Sequence, residues 1–215
     1  MTRVKVCGVT RIEDAVLAAE LGAAAIGLVF WPGSPRWVDP GAAQRIRAAL
    51  PAHISTIGVF VNQPLEEVRR TADEVGLDAV QLHGEESLAY ITELMHPVLK
   101  AVPVAAGFTP ASLDRFPPEV TVLLDAHDPV RRGGTGRRID WSLAAAAASR
   151  RPVFLSGGLG PGNIADAIDR VRPYGVDLSS GVESSPGIKD PVRLRALFRA
   201  VPGAHAPVDD HSAHG

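Results

Sequence analysis

Only one of the 215 residues is cysteine, Cys7. A single thiol excludes an internal disulfide and a cysteine-based metal cluster, and it fits a reducing compartment. Long apolar runs are missing too. No stretch approaches the ~18 consecutive apolar residues of a membrane helix, and MTRVKVCG lacks the apolar centre of a secretory signal. There is no basic surplus, since the formal net charge is −2. That argues against nucleic acid or an anionic membrane as the main partner. The expectation is therefore a cytoplasmic protein. No linker divides the chain, so one domain is expected over 1–202. The polar, aperiodic stretch 203–215 reads as a disordered tail. What remains is 46% hydrophobic, ordinary for a chain with a substantial core.

Short apolar segments rich in β-branched residues recur along the chain: VKVCG (4–8), AAIGLVF (24–30), STIGVFV (55–61), AVQLH (79–83), VLKAVPV (98–104), TVLLDA (121–126), PVFLSG (152–157) and GVDLSS (175–180). Such runs suit strands covered on both faces. Helical patterns lie between them. Leu65, Val68, Ala72 and Val75 form one stripe, and Leu194, Leu197, Phe198 and Val201 another. Asp39-Pro40 and Asp190-Pro191 each offer an N-cap followed by proline at the first helical position. Thr10 with Glu13 suggests a capping box. The alanine run 144–148 after Asp140 predicts helix. The weakest helix falls in GFTPASLDRFPPE, with room for one or two turns. Eight strand–helix units predict a parallel sheet closed into a compact (β/α)8 barrel, with an open doubly wound sheet as the alternative.

In a barrel, chemistry gathers at the C-terminal ends of the strands. Cys7, Asp125, Gly157-Gly158 and Ser180-Gly181 all fall there. Alternation along the first strand places Lys5 and Cys7 on one face and Val4 and Val6 on the other. Cys7 then faces the barrel interior, either as a small buried filler or as a base whose pKa nearby positive charge lowers toward neutrality. Asp125 ends an apolar strand. It is either a general acid kept protonated by burial, or a cap paired with a loop arginine such as Arg131 or Arg132. Glycines after the seventh and eighth strands fit a phosphate-binding cradle or simple tight turns. Arg36, in WPGSPRWVDP, is either a carboxylate grip or a surface arginine. The glycine-rich basic loop HDPVRRGGTGRRIDW reads as a lid over an anionic ligand or as a solvated loop. His83, in VQLHGEE, lines the same end with no chemistry assigned.

Taken together, KVCGVTRIEDA, GLVFWPGSPRWV, GVFVN, VQLHGEE, LLDA with GGTGRRIDW, LSGGLGPGNI and GVDLSSGVESSPGIKD resemble the phosphoribosylanthranilate isomerases of tryptophan biosynthesis. These segments run in family order from residue 5 to residue 190. Val6 replaces the family's usual isoleucine. The resemblance implies a (β/α)8 barrel in which Cys7 is the general base, Asp125 the general acid and Arg36 the contact to the anthranilate carboxylate. It also implies that Gly157, Gly158, Ser180 and Gly181 hold the phosphate. The implied reaction is an Amadori rearrangement of a phosphorylated aminoaldose, needing neither metal nor organic cofactor, in a monomer or homodimer. Three rivals stand beside this reading. A histidine-pathway sugar isomerase would carry aspartate on the first strand. A barrel could bind a phosphorylated ligand without turnover. A thiol-redox protein lacks a second cysteine here.

Overall fold

A computed structural model of the chain describes residues 2–126 and 139–202. The expectations for Arg131, Arg132 and most of the basic loop, and for the tail 203–215, lie outside the described residues.

All eight expected segments form strands: β1 (Arg3–Cys7), β2 (Ala25–Val29), β3 (Ser55–Phe60), β4 (Ala79–Leu82), β5 (Val98–Val104), β6 (Thr121–Ala126), β7 (Val153–Leu155) and β8 (Gly175–Leu178). Each pairs in parallel with the next, and β8 returns to β1, closing the barrel. The closing register sets Lys5 beside Asp177, and β1 meets β2 with Cys7 beside Gly27. Between the strands run α1 (Ile12–Glu20), α2 (Pro40–Ala48), α3 (Leu65–Val75), α4 (Leu88–Glu93), α5 (Trp141–Ala148) and α6 (Ile164–Val171), and α7 (Pro191–Ala200) follows the last of them. The crossover from β5 to β6 is only a 3-10 turn, Pro110–Arg115, as its proline-interrupted sequence suggests. No described helix is long and apolar enough to cross a membrane.

Capping follows the sequence at three helices. Asp39 accepts from the Ala42 N–H, Asp140 from Ser142 and Leu143, and Asp190 from Val192 and Arg193. The capping box at α1 is not formed. Arg11 is the N-cap residue and makes no side-chain cap, while the Thr10 hydroxyl donates to the Gly187 carbonyl at 2.6 Å. A tertiary partner 177 residues away claims the hydroxyl that local pattern assigned to the helix. That partner lies in a hairpin after β8, built from β9 (Glu183–Ser185) and β10 (Ile188–Lys189). Its strands are too short to show any period.

Strand alternation sorts the side chains into two layers. Val4, Val6, Val122 and Leu124 pack outward into the large core shared with the helices. Leu99, Ala101, Leu123 and Phe154 pack against one another as a separate inner cluster. Each fully buried leucine of the outer layer contributes about 1.5–3 kcal/mol relative to exposure. The same parity turns Lys5, Cys7 and Asp125 away from that outer layer, and this positions the site.

Candidate active site

Cys7 is the last residue of β1, and Asp125 the last but one of β6. Both open into one cavity of about 700 Å³, which Arg36, His83, Asp177 and Ser180 also line. Residues from β1, β6 and β8 and from the loops after β2, β4 and β8 thus converge, though 173 positions separate Cys7 from Ser180 in sequence.

The thiol sits in a crowded electrostatic setting. Burial pushes the Cys7 pKa up, and this outweighs the pull of Lys5 and Lys189; Asp177 adds to the rise. The sequence leaves both a buried filler and a base with a lowered pKa open at this position. Burial outweighs the cations because the strand end is more deeply enclosed than alternation alone reveals. Lys5 Nζ donates to Asp177 Oδ1 at 2.7 Å. Lys189 Nζ donates to the Cys7 carbonyl at 2.5 Å and to Glu183 Oε1 at 2.8 Å. Burial draws the Lys189 pKa down, with Glu183 opposing.

Asp125 is buried and contacts His83, with Nε2 3.0 Å from Oδ2. His83 Nδ1 in turn lies 3.0 Å from Gln81 Nε2. With the amide donating, Nδ1 accepts, and the proton sits on Nε2, aimed at the carboxylate. The partner of Asp125 among the described residues is therefore a histidine that the sequence placed nearby but left without a role. A histidine at a strand end two residues after a buried glutamine was the available signal.

Arg36 holds Glu183 in a two-pronged contact: Nε donates to Oε1 at 2.9 Å and Nη2 to Oε2 at 2.7 Å. The Glu183 hydrogen bond raises the Arg36 pKa further. Burial alone would lift the Glu183 carboxyl, but Arg36 and Lys189 more than offset it and hold it below the usual range. Nη1 of Arg36 makes no hydrogen bond among the described residues. Glu183 was missed by sequence reasoning, since nothing local links residues 147 positions apart.

A second recess of about 400 Å³ lies beside the first, lined by Gly158, Gly160, Asn163, Ser180 and Gly181 at the start of α6. Asn163 Oδ1 accepts from the Gly160 N–H, and Asn163 Nδ2 donates to the Gly158 carbonyl, both at 2.9 Å. A Cβ on Gly181 would lie 2.0 Å from the Leu159 carbonyl oxygen, so only glycine lets the two loops close on each other. Three of the four expected phosphate residues line this recess; Gly157 is not among them.

A thiol and a carboxyl on one cavity, at the C-terminal mouth of a closed parallel barrel, place this chain among the (β/α)8-barrel proteins with a site where barrel enzymes carry theirs. Comparison with known proteins narrows the class. The family model for N-(5'-phosphoribosyl)anthranilate (PRA) isomerase matches residues 4–200. The enzyme of that name from Citrifermentans bemidjiense is 50% identical over 198 residues, covering 92% of this chain and 96% of that protein. The crystal structure of phosphoribosyl anthranilate isomerase from Thermus thermophilus superposes with a TM-score of 0.85 at 41% identity, covering 93% and 98% of the two chains. A phosphoribosyl anthranilate isomerase solved with reduced 1-(o-carboxyphenylamino)-1-deoxyribulose 5-phosphate superposes at 0.81 with 40% identity, over the same shares. The chain belongs to the N-(5'-phosphoribosyl)anthranilate isomerase family.

Proposed function

We propose that Cys7 and Asp125 catalyse the conversion of N-(5'-phosphoribosyl)anthranilate to 1-(2-carboxyphenylamino)-1-deoxyribulose 5-phosphate, a step of tryptophan biosynthesis. The observation that carries this reading is that one cavity joins the thiol of β1 to the carboxyl of β6, with Arg36 on its rim and the glycine recess adjoining it. Asp125 protonates the ribose ring oxygen, the ring opens, and a Schiff base forms at C1. Cys7, as thiolate, removes the proton from C2. The enolamine that results gains a proton at C1 and loses one from the C2 hydroxyl, giving the ketose. Asp125 ends the sequence as carboxylate and Cys7 as thiol, so one proton must pass back between them through solvent or side chains before the next turnover. His83 orients Asp125 and places an N–H against the carboxylate formed when the acid has donated.

Binding is divided between the two ends of the substrate. The free edge of Arg36 takes the anthranilate carboxylate, while Glu183 fixes the guanidinium plane. Gly158, Ser180 and Gly181, with Gly157 next to them, cradle the phosphate at the N-terminus of α6. Holding both ends turns remote binding energy into orientation at C1 and C2. The reaction calls for no metal or organic cofactor, and a biosynthetic role fits a cytoplasmic setting.

The test follows the fluorescence of freshly generated N-(5'-phosphoribosyl)anthranilate on addition of purified protein. Rapid loss of signal is expected with the native chain, with the ketose confirmed as product. Cys7→Ser and Asp125→Asn should each slow turnover by roughly 10²–10⁴-fold, the range of a lost general base or acid. Native turnover in either variant would remove that residue from its role. No turnover by the folded native chain would overturn the reaction itself, and the aminoaldose of histidine biosynthesis would be tried next.

A further inference from the structure

Proton abstraction from C2 needs a thiolate, yet burial favours the neutral thiol at Cys7. Something must supply the opposing charge. Beneath Cys7, on the same face of β1, lies Lys5, with 0% of its surface exposed. Its ammonium cannot turn to solvent, and its carboxylate partner among the described residues is Asp177 on β8, at 2.7 Å. Burial alone would lower the Lys5 pKa, but Asp177 and Cys7 more than offset it, so the group stays charged.

The route from Lys5 to the sulfur passes through β2. Gly27 stands beside Cys7 in the β1–β2 register. A Cβ on Gly27 would lie 2.7 Å from Cys7 Sγ and 3.0 Å from Lys5 Nζ. Thiol and ammonium therefore flank a single notch that any larger residue would fill. Among the described residues, the other charged groups near the thiol are Lys189 on β10, Glu183 on β9 and Arg36 in the loop after β2; His83 on the β4 side and Asp125 on β6 line the same cavity. Among the described residues that crowd the thiol side, Lys5, Lys189 and Arg36 are cations and Asp177 and Glu183 are anions, an excess of one positive charge that a thiolate would balance.

We propose that Lys5 is the positioning residue that draws Cys7 toward the thiolate for proton abstraction, opposing burial across the notch that Gly27 leaves, while Asp177 fixes the ammonium and tempers its pull. This rests on the assignment of Cys7 as the base. Lys5 touches no reacting atom; it acts through the sulfur. Lys189 exerts the weaker pull on the sulfur, its Nζ being held on the Cys7 carbonyl and Glu183.

Cys7 is the only cysteine, so alkylation of the chain by iodoacetamide reads one atom. Its rate against pH should rise with the thiolate fraction. In Lys5→Met the inflection should move up by about one pH unit or more, and in Asp177→Asn it should move down, because the ammonium then acts unopposed. Gly27→Ala should move it up, as the added methyl drives sulfur and ammonium apart. In turnover, Lys5→Met should lose roughly tenfold or more in kcat while KM changes little. Coincident inflections in Lys5→Met and the native chain would overturn the proposal, as would shifts of one direction in Lys5→Met and Asp177→Asn. If Lys5→Met alone does not fold, the double variant Lys5→Met, Asp177→Asn replaces the buried pair with neutral groups. Its inflection must then lie above that of Asp177→Asn, and coincidence of the two would overturn the proposal. These readings do not depend on catalysis. Full activity in Cys7→Ser would refute the base while leaving the alkylation result standing, and unshifted alkylation with an inactive Cys7→Ser would do the reverse.

Discussion

Arg36 shows how a single residue acquires a role from its surroundings. A free arginine on a loop can face anywhere, and holding one long side chain in place costs entropy. Here Glu183 takes Nε and Nη2, and Nη1 makes no hydrogen bond among the described residues. The planar fork matters as much as the charge. Arg36→Lys keeps the charge and loses the fork, so KM for N-(5'-phosphoribosyl)anthranilate should rise about tenfold or more, with kcat within a few-fold. Steady-state kinetics decides this: an unchanged KM would mean that Arg36 does not hold the carboxylate. The sequence pointed to Arg36 through its SPR segment. It did not point to Glu183, whose part depends wholly on the folding of a hairpin against the loop after β2.

At the scale of elements, the two loops after β7 and β8 make one recess only because they touch. The contact is backbone to backbone at Gly181 and Leu159. Gly181→Ala must push these loops apart, since a carbonyl 2.0 Å from the new methyl cannot yield as a flexible side chain would. Inorganic phosphate should inhibit the native chain competitively. In Gly181→Ala its inhibition constant should rise by roughly tenfold, the loss of about one charge-assisted hydrogen bond. An unchanged constant would place the phosphate elsewhere. Strand and helix order was readable because buried parallel strands are short apolar runs and three helices carry an aspartate cap. The box at Thr10 was misread because a hydroxyl takes whichever carbonyl the whole fold brings to it. The β9–β10 hairpin went unseen because two or three residues carry no periodicity.

The molecule as a whole carries buried charge, and this makes its stability depend on pH. Lys5–Asp177, Lys189–Glu183 and Lys100–Glu86 are all enclosed pairs. Glu86 also accepts from the Asn62 and Gly84 N–H groups, tying the loop after β4 to the loop after β3. Burial alone would raise its pKa, but Lys100 and these backbone donors more than offset it and hold it below the usual carboxylate range. Glu183 is lowered likewise. A carboxyl with a lower pKa folded than unfolded stabilises the fold above the unfolded pKa. That contribution is lost as pH falls through the folded pKa. The melting temperature should therefore drop on acidification below about pH 4.5, the region where unfolded glutamates titrate. Glu86→Gln should melt lower than the native chain at pH 7 and show a shallower fall on acidification. Scanning calorimetry across pH 3–7 measures both, and parallel curves would show that Glu86 does not carry the effect.

The sequence by itself determined the barrel, the order of its parts and the residues that stand at its mouth. These follow from local pattern: apolar runs, capping aspartates, glycines after strands, and alternation that turns Lys5 and Cys7 to one face. Motifs spread from residue 5 to residue 190 were enough to indicate the family. Only the tertiary structure decided which groups touch. It paired Asp125 with His83 and Arg36 with Glu183, and it set Lys5 between Asp177 and the thiol. It also decided the charge balance at Cys7, where burial outweighs the neighbouring cations. The reason is physical: secondary structure reports interactions over a few residues, whereas a pKa and a hydrogen-bond partner depend on everything within a few ångströms. In a closed barrel those neighbours come from opposite ends of the chain.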